Sequence, residues 1–229
     1  MKRVAILQSS YLPWRGYFDL MSSVDEFVLY DDVQYTKGDW RNRNRIKTPQ
    51  GLLWLTVPVG DSIDRQMRDV TVRDPGCGAA HWKKLHANYG RARCFDEASA
   101  WLRPLFCDDE WHSLSEVNER LLRAVCGRLG ITTSVSRSSD YRLEGDRNQR
   151  LVSICAQAGA SVYVSGPRAR AYLDVAAFER SDIEVSWFDY PAYPAYRQLW
   201  GPFVDDLSIV DLLFNCGHES PRYLEAARP

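Results

Sequence analysis

Apolar and polar positions along the chain predict short buried strands separated by amphipathic helices. Apolar runs of strand length occupy residues 4–7, 27–30 and 161–164, and residues 183–188 are the last strand candidate. Runs with no polar residue at every second position are typical of parallel strands that are covered on both faces. Between them, apolar residues recur three or four positions apart, as they do on one face of a helix. The pattern therefore predicts an α/β chain.

Two helices have clear sequence boundaries. One begins with the capping-box pattern of Ser113 and Glu116, has an apolar stripe over residues 114–125 and ends at Gly130. We interpret it as a packing helix with no functional role. The other follows Asp146, a favourable N-cap residue, and covers residues 147–158.

The second of these helices lies between two predicted strands, 132–136 and 161–164. A strand, a helix and a strand in this order form a βαβ unit with parallel strands, whose crossover is right-handed. We therefore predict an α/β fold with a parallel-sheet, Rossmann-like (nucleotidylyltransferase/HUP-like) core.

A β-hairpin at about 40–59 is predicted as an insertion into this core. Residues 41–47 alternate strictly in character, residues 51–59 form an apolar strand, and the segment between them contains Pro49 and Gly51. A helical segment follows at about 78–130. The length of 229 residues permits a sizeable core. We expect residues 1–229 to form a single α/β domain.

Polar residues follow several of the predicted strands. Gln8 follows the first strand, Asp31 and Asp32 follow the second, and Ser165 and Arg168 follow the strand at 161–164. Open α/β sheets bind ligands at the carboxyl ends of their strands. The sequence therefore predicts a ligand site at this edge, although sharp turns after strands are common.

The first strand of the hairpin has an unusual charge pattern. Because strand side chains alternate between faces, Arg41, Arg43, Arg45 and Lys47 share one face. Asn42, Asn44 and Ile46 occupy the opposite face. A cationic face suits a phosphate or a carboxylate, which arginine binds through two parallel hydrogen bonds. The alternative is a solvated edge strand whose charges prevent edge-to-edge pairing.

Four segments resemble the WbqC-like protein family. They are Gln8 with the motif at 11–18, the segment 33–37, the segment 40–47 and the late run 207–215. The resemblance extends nearly from end to end of the chain. It implies a role in the biosynthesis of a bacterial surface polysaccharide or a natural product.

Composition and charge exclude several classes of function. The net charge is −1 and 26% of residues are charged, whereas nucleic-acid binding requires a strongly basic surface. No apolar stretch approaches the length of a membrane span or of a signal-peptide core. The six cysteines have neither disulfide nor metal-site spacing. We expect a cytoplasmic protein with reduced thiols, no metal, no nucleic acid and no membrane insertion.

Cys216 and His218 resemble a thiol nucleophile with a nearby base. A helix that ends at Cys-Gly, with a histidine beside its C-terminus, explains the same residues. We favour this second interpretation and predict no catalytic role for Cys216.

The residues at the strand ends and on the hairpin predict a group-transfer enzyme. An activated donor that bears phosphate, such as a nucleotide-sugar, a coenzyme A thioester or a carrier-protein thioester, would react with an amine or a hydroxyl acceptor. Amide formation is one such reaction, and the family context favours it. The cofactor stays unassigned. Two alternatives remain, a nucleotidylyltransferase-like enzyme and a non-catalytic scaffold that binds the ligand or a carrier protein.

Each candidate residue has an expected role in this reaction. Asp31 or Asp32 orients or deprotonates the acceptor. Lys37, grouped with these catalytic candidates, binds the anion together with Arg41 and Arg43. The other expected substrate contacts are Gln8, Tyr11, Arg15, Tyr17, Gln34, Tyr35, Asn42, Asn44, Lys47, Ser165 and Arg168.

Overall fold

The computed structural model describes residues 1–224 as two β-sheets with helices packed around them. In this part of the chain the strands are β1 (Arg3–Leu7), β2 (Glu26–Leu29), β3 (Arg43–Thr48), β4 (Gly51–Thr56), β5 (Ser134–Arg137), β6 (Val162–Ser165) and β7 (Glu184–Trp187). The α-helices are α1 (Arg15–Ser22), α2 (Cys77–Tyr89), α3 (Phe95–Cys107), α4 (Leu114–Leu129), α5 (Arg147–Gln157), α6 (Val175–Glu179) and α7 (Ile209–Cys216). Short 3₁₀ turns lie at Met67–Asp69, Ser138–Asp140, Pro167–Ala171 and Gly217–Tyr223.

The larger sheet has five strands in the order β5-β2-β1-β6-β7, and every neighbouring pair is parallel. The chain moves from β1 to β2 on one side and later returns to β6 on the other side of β1. The order therefore reverses between β1 and β6, which is where doubly wound sheets bind their ligands. The structure confirms the predicted α/β fold with a Rossmann-like parallel core.

Both faces of this sheet are covered, which explains the continuous apolar runs. Ala5 packs with α1, α4 and α7 on one face. Val4 and Ile6 pack with α5 and the region of α6 on the other face. Because side chains alternate along a strand, each of these runs must be apolar at successive positions to fill both layers.

The predicted hairpin is also present, as β3 paired antiparallel with β4. Ile46 and Leu55 face inward and join a separate apolar cluster formed with α2, α3 and the start of α4. This cluster also includes Tyr11 from the turn after β1, so the hairpin is packed directly against that turn.

The predicted caps are present on both helices. Ser113 accepts a hydrogen bond from the backbone N–H of Glu116, and Gly130 ends α4 with a left-handed φ of 72°. Asp146 and Gln149 form a reciprocal capping box at the start of α5. These local signals fix the helix boundaries to within a residue or two because they depend only on neighbouring positions.

Candidate functional site

Asp31 is the central carboxylate at the carboxyl edge of the sheet. Its side chain is 5% exposed and follows β2. One carboxylate oxygen accepts a 2.9 Å hydrogen bond from the backbone N–H of Ser9, and the other accepts the hydroxyl of Ser115. Burial raises the pKa of this carboxyl, although the hydrogen bonds and Arg41 oppose the shift. A carboxylate held in this way at the end of a strand, with a raised pKa, is a candidate general base.

Arg41 is the predicted anion-binding residue whose charge acts on this carboxylate. It precedes β3, and its guanidinium donates to the Ser10 hydroxyl at 2.6 Å and, at longer distance, to the carbonyls of Gln8 and Ser9. It lowers the pKa of Asp31 electrostatically but makes no ion pair within 4 Å in residues 1–224. Its positive charge is therefore not neutralised by direct pairing.

Asn118 of α4 holds the two segments of the site together. Its side-chain amide is fully buried and donates to the Ser9 hydroxyl at 3.2 Å and to the Arg41 carbonyl at 2.9 Å. These bonds connect the turn after β1 with the loop before β3. Its oxygen, like the Nε of Arg41, is buried without a hydrogen-bond partner in the described chain.

Aromatic side chains lie near the carboxyl ends of β1 and β6. Tyr17 of α1 donates its hydroxyl to the Gln8 carbonyl at 3.1 Å. Burial raises its pKa, and the charges of Arg41 and Asp31 influence it. Tyr190 interacts electrostatically with Tyr17, and a Cβ at Gly166 would lie 3.6 Å from the Tyr190 hydroxyl. Tyr190 therefore lies between helix α1 and the turn after β6.

The turn after β1 has a strained backbone. Leu12 is buried and has a φ of 44°, a left-handed conformation that costs about 1–3 kcal/mol in a residue other than glycine. Asn44 supports this conformation by donating to the carbonyls of Tyr11 and Leu12, at 3.3 Å and 2.7 Å. Strain of this kind concentrates at functional sites, which supports a site at this turn.

A family model described as the WbqC-like protein family matches residues 8–223. The chain belongs to the WbqC-like protein family. It is 50% identical over 230 residues, 100% of each chain, to an uncharacterized protein, Rv1507c, of Mycobacterium tuberculosis (strain ATCC 25618 / H37Rv). No solved structure matches this chain.

Arg43 and Arg45 of this WbqC-like protein alternate along β3, and both lie over the Trp54 ring, at 4.3 Å and 5.6 Å from its centroid. Arg45 also pairs with Asp206. Arg41 precedes β3, so the four cations do not all lie on one strand. Binding of an anion by this cationic face stays a prediction.

Lys47, Asn42 and Asn44 have structural contacts on the hairpin. The Lys47 ammonium is buried and donates to the side chain of Gln198 and the carbonyl of Pro202. Asn42 is buried and donates to the Val57 carbonyl at 2.9 Å. Together with Asn44, which supports the strained turn, these groups position the hairpin.

Arg15 also has a structural environment. Its side chain is 2% exposed, pairs with Asp205 and donates to the Pro194 carbonyl at 2.8 Å. The guanidinium lies 4.8 Å from the Tyr193 ring centroid. These contacts attach residues 190–203, the aromatic segment before α7, to helix α1. Arg15 is therefore not part of the proposed site.

Three residues from the family segment 33–37 lie in different environments. Lys37 is exposed and pairs with Asp61 at 2.6 Å, so it does not pair with Asp31. Gln34 is exposed, and its carbonyl accepts a 3.3 Å hydrogen bond from the Gln8 side chain. Tyr35 is buried in the cluster around the hairpin.

Asp32, Tyr11 and Ser165 point away from the carboxylate of Asp31. Asp32 follows Asp31, faces the other side of the sheet edge and pairs with Arg68. The Tyr11 hydroxyl lies 2.6 Å from His81 inside the hairpin cluster. Ser165 is buried and hydrogen-bonds the Tyr163 phenol. Arg168 is exposed, and its charge acts on Tyr190.

Sequence reasoning missed the contribution of α4. Ser115 and Asn118, which bind Asp31 and Ser9, belong to a helix that we had interpreted as packing alone. Both residues are polar and lie in the first turns of this helix, where Asn118 interrupts the apolar stripe between Leu114 and Leu121. This interruption does not identify their partners, which are 84 and 109 residues away.

Cys216 and His218 do not form a nucleophile–base pair. Burial raises the pKa of the Cys216 thiol to about 12, which disfavours the thiolate. His218 is exposed and lies 3.4 Å from Glu97. In residues 1–224 we find neither a metal-binding cluster of histidine, cysteine and carboxylate residues nor a helix long and apolar enough to cross a membrane.

Proposed function

We propose that this WbqC-like protein is a group transferase that acts at the carboxyl edge of its sheet. The observation that carries the proposal is the buried carboxylate of Asp31, which has a raised pKa and lies near the unpaired guanidinium of Arg41. Acid–base chemistry needs a carboxyl whose pKa is closer to neutral than usual, and binding of an anionic donor needs an available cation.

The donor in this proposal bears phosphate. Arg41 and Arg168 flank the point between β1 and β6 at which the strand order reverses, and neither makes an ion pair in the described residues. Arginine binds phosphate oxygens through its planar array of N–H groups. Nucleotide-sugars and coenzyme A thioesters both satisfy this requirement, as does a carrier-protein thioester through its phosphopantetheine arm.

The acceptor in this proposal is an amine or a hydroxyl that loses a proton to Asp31. Ser9 and Ser115 fix both carboxylate oxygens and thereby orient the remaining lone pairs. As the acceptor attacks the donor, its proton transfers to a carboxylate oxygen and the activating group departs. General-base assistance of this kind contributes about 10²–10⁴-fold to a rate.

A ligand screen with a matched variant tests this proposal. Thermal shift with nucleotides, sugar nucleotides and acyl thioesters identifies the donor, because a specific ligand stabilises the folded state. Asp31→Asn preserves the shape and one acceptor oxygen for Ser9, so we expect donor binding within about twofold of wild type and turnover at least about 100-fold lower.

The results separate catalysis from binding alone. Loss of product formation with retained donor binding supports a catalytic Asp31. Donor binding by the wild type without turnover of any amine or hydroxyl acceptor would instead identify a non-catalytic scaffold. Unchanged turnover in Asp31→Asn would remove Asp31 from the mechanism.

Arg41 and Arg43 provide a second, matched comparison. Arg41→Ala should weaken binding of the donor found in the screen by about 1.5–3 kcal/mol, the range for hydrogen bonds to charged groups. Arg43→Ala, which removes a cation over Trp54, should weaken it by less than about 1 kcal/mol. Titration calorimetry measures both. Equal losses in the two variants would show that the hairpin face as a whole binds the donor.

A further inference from the structure

A cavity lies at the carboxyl edge, beyond β2 and next to β5. Its volume is about 330 Å³, within the range of sites for small ligands. It lies on the Asp32 side of the sheet edge and therefore opposite the Asp31 carboxylate. The lining residues that matter below are Asp32, Gln66, Arg68, Tyr141 and Arg150.

The cavity lining has two arginines, Arg68 and Arg150, and one carboxylate, Asp32. Asp32 is buried and pairs with Arg68. Arg150 donates to the Gly145 carbonyl at 3.1 Å and to the Tyr30 phenol, but it has no carboxylate partner in residues 1–224. Arginine without a paired carboxylate in a concave site favours an anionic ligand group.

The same cavity also contains hydrogen-bond acceptors. The side-chain oxygen of Gln66 is buried and has no hydrogen-bond partner in the described chain. Leaving such an atom unsatisfied costs about 1–3 kcal/mol. Gln66 would have to turn this oxygen into the cavity to accept from a ligand N–H group. The carboxylate of Asp32, which already accepts from Arg68 and from the Ser138 hydroxyl, would favour a positive charge on that nitrogen.

We propose that this cavity binds a small zwitterion, an α-amino acid or a related amino-bearing carboxylic acid. The ligand carboxylate pairs with Arg150, and its ammonium group donates to Gln66 and faces the Asp32 carboxylate. The Tyr141 ring covers one wall of the cavity, while its hydroxyl is already bonded to Glu26.

Binding of this ligand does not rest on the proposed group transfer. Asp31 and Asp32 are adjacent in the chain and face opposite sides of the sheet edge, so the cavity lies on the side away from the Asp31 carboxylate. Binding is measured without a donor and without turnover, so either proposal can fail while the other stands.

Titration calorimetry on the full chain tests the site. The probes are the twenty standard amino acids, with propionate as a carboxylate without an amine and ethylamine as an amine without a carboxylate. We expect at least one amino acid to bind, and propionate and ethylamine to bind at least about tenfold more weakly, a difference of about 1.4 kcal/mol.

Two variants locate the binding. Arg150→Gln and Gln66→Leu should each weaken amino-acid binding at least about fivefold, whereas Arg142→Gln, an exposed neighbour outside the cavity lining, should leave it unchanged. Unchanged melting temperatures verify that the variants fold. The proposal is overturned if no amino acid binds at millimolar concentration, if propionate binds equally well, or if Arg142→Gln has the same effect as Arg150→Gln.

Discussion

Asp211→Ala is expected to reduce the free energy of unfolding by about 3 kcal/mol. The Asp211 carboxylate is fully buried and accepts the hydroxyls of Tyr89 at 2.8 Å and Tyr196 at 2.7 Å. Alanine leaves both buried hydroxyls without an acceptor, at about 1–3 kcal/mol each. The alanine variant no longer buries a carboxylate, and it is this burial that raises the Asp211 pKa. Removing that cost recovers part of the lost stability.

Urea unfolding measures the effect, and two variants serve as controls. Asp211→Asn keeps one acceptor oxygen and should lose less stability than the alanine variant. Asp206→Ala removes an exposed carboxylate that pairs with Arg45, so it should cost only about 0–1 kcal/mol. If Asp211→Ala unfolds within about 1 kcal/mol of wild type, this network does not hold α7 against α2 and the aromatic segment.

Because of His81, the free energy of unfolding should decrease by about 3 kcal/mol as the pH drops from 6.5 to 4. Burial lowers the pKa of His81 from its ordinary 6.5 to about 4. Its Nε2–H donates to the Thr56 carbonyl at 3.1 Å, so in the neutral ring Nδ1 accepts the Tyr11 hydroxyl at 2.6 Å. Protonation would replace that acceptor with a donor.

The decrease in the free energy of unfolding at low pH follows from proton uptake by His81 in the unfolded chain. Below pH 6.5 the unfolded chain binds a proton at His81 while the folded chain does not, so falling pH favours unfolding until the folded pKa is reached. The difference between 6.5 and about 4 corresponds to about 3 kcal/mol at 1.36 kcal/mol per pKa unit.

Other carboxyl groups titrate in the same range, so the test is a comparison of two proteins. His81→Gln cannot titrate at this position and retains one donor and one acceptor. The free energy of unfolding of this variant should depend less on pH between 6.5 and 4 than that of the wild type. Identical pH dependence in the two proteins would show that His81 does not contribute.

The polar positions of α4 show where local reasoning ends. The sequence predicts the helix, its cap at Ser113 and its end at Gly130, because these features depend on residues a few positions apart. Nothing local indicates that Ser115 reaches Asp31 or that Asn118 joins Ser9 to Arg41. Those contacts exist only because the apolar stripe of α4 packs beside β1 and β2.

The alternating run of residues 41–47 predicts which side chains of β3 are buried but not which groups its cations contact. Alternation correctly places Ile46 and Asn44 on the buried face of β3. It cannot assign the cations, because Arg41 lies before the strand, Arg43 lies over Trp54 and Lys47 is enclosed by the aromatic segment. The contacts of Lys47, with Gln198 and Pro202, join residues 151 and 155 positions apart in sequence.

The sequence by itself determined the parallel sheet, the hairpin and the edge at which polar residues gather. Apolar periodicity encodes burial, and a βαβ order places every strand end on the same side. Tertiary structure alone decided that Asp31 pairs with Ser9 and Ser115 and that Arg41 stays unpaired. The physical reason is that these hydrogen bonds join segments between 22 and 84 residues apart, whose meeting depends on the packing of whole elements.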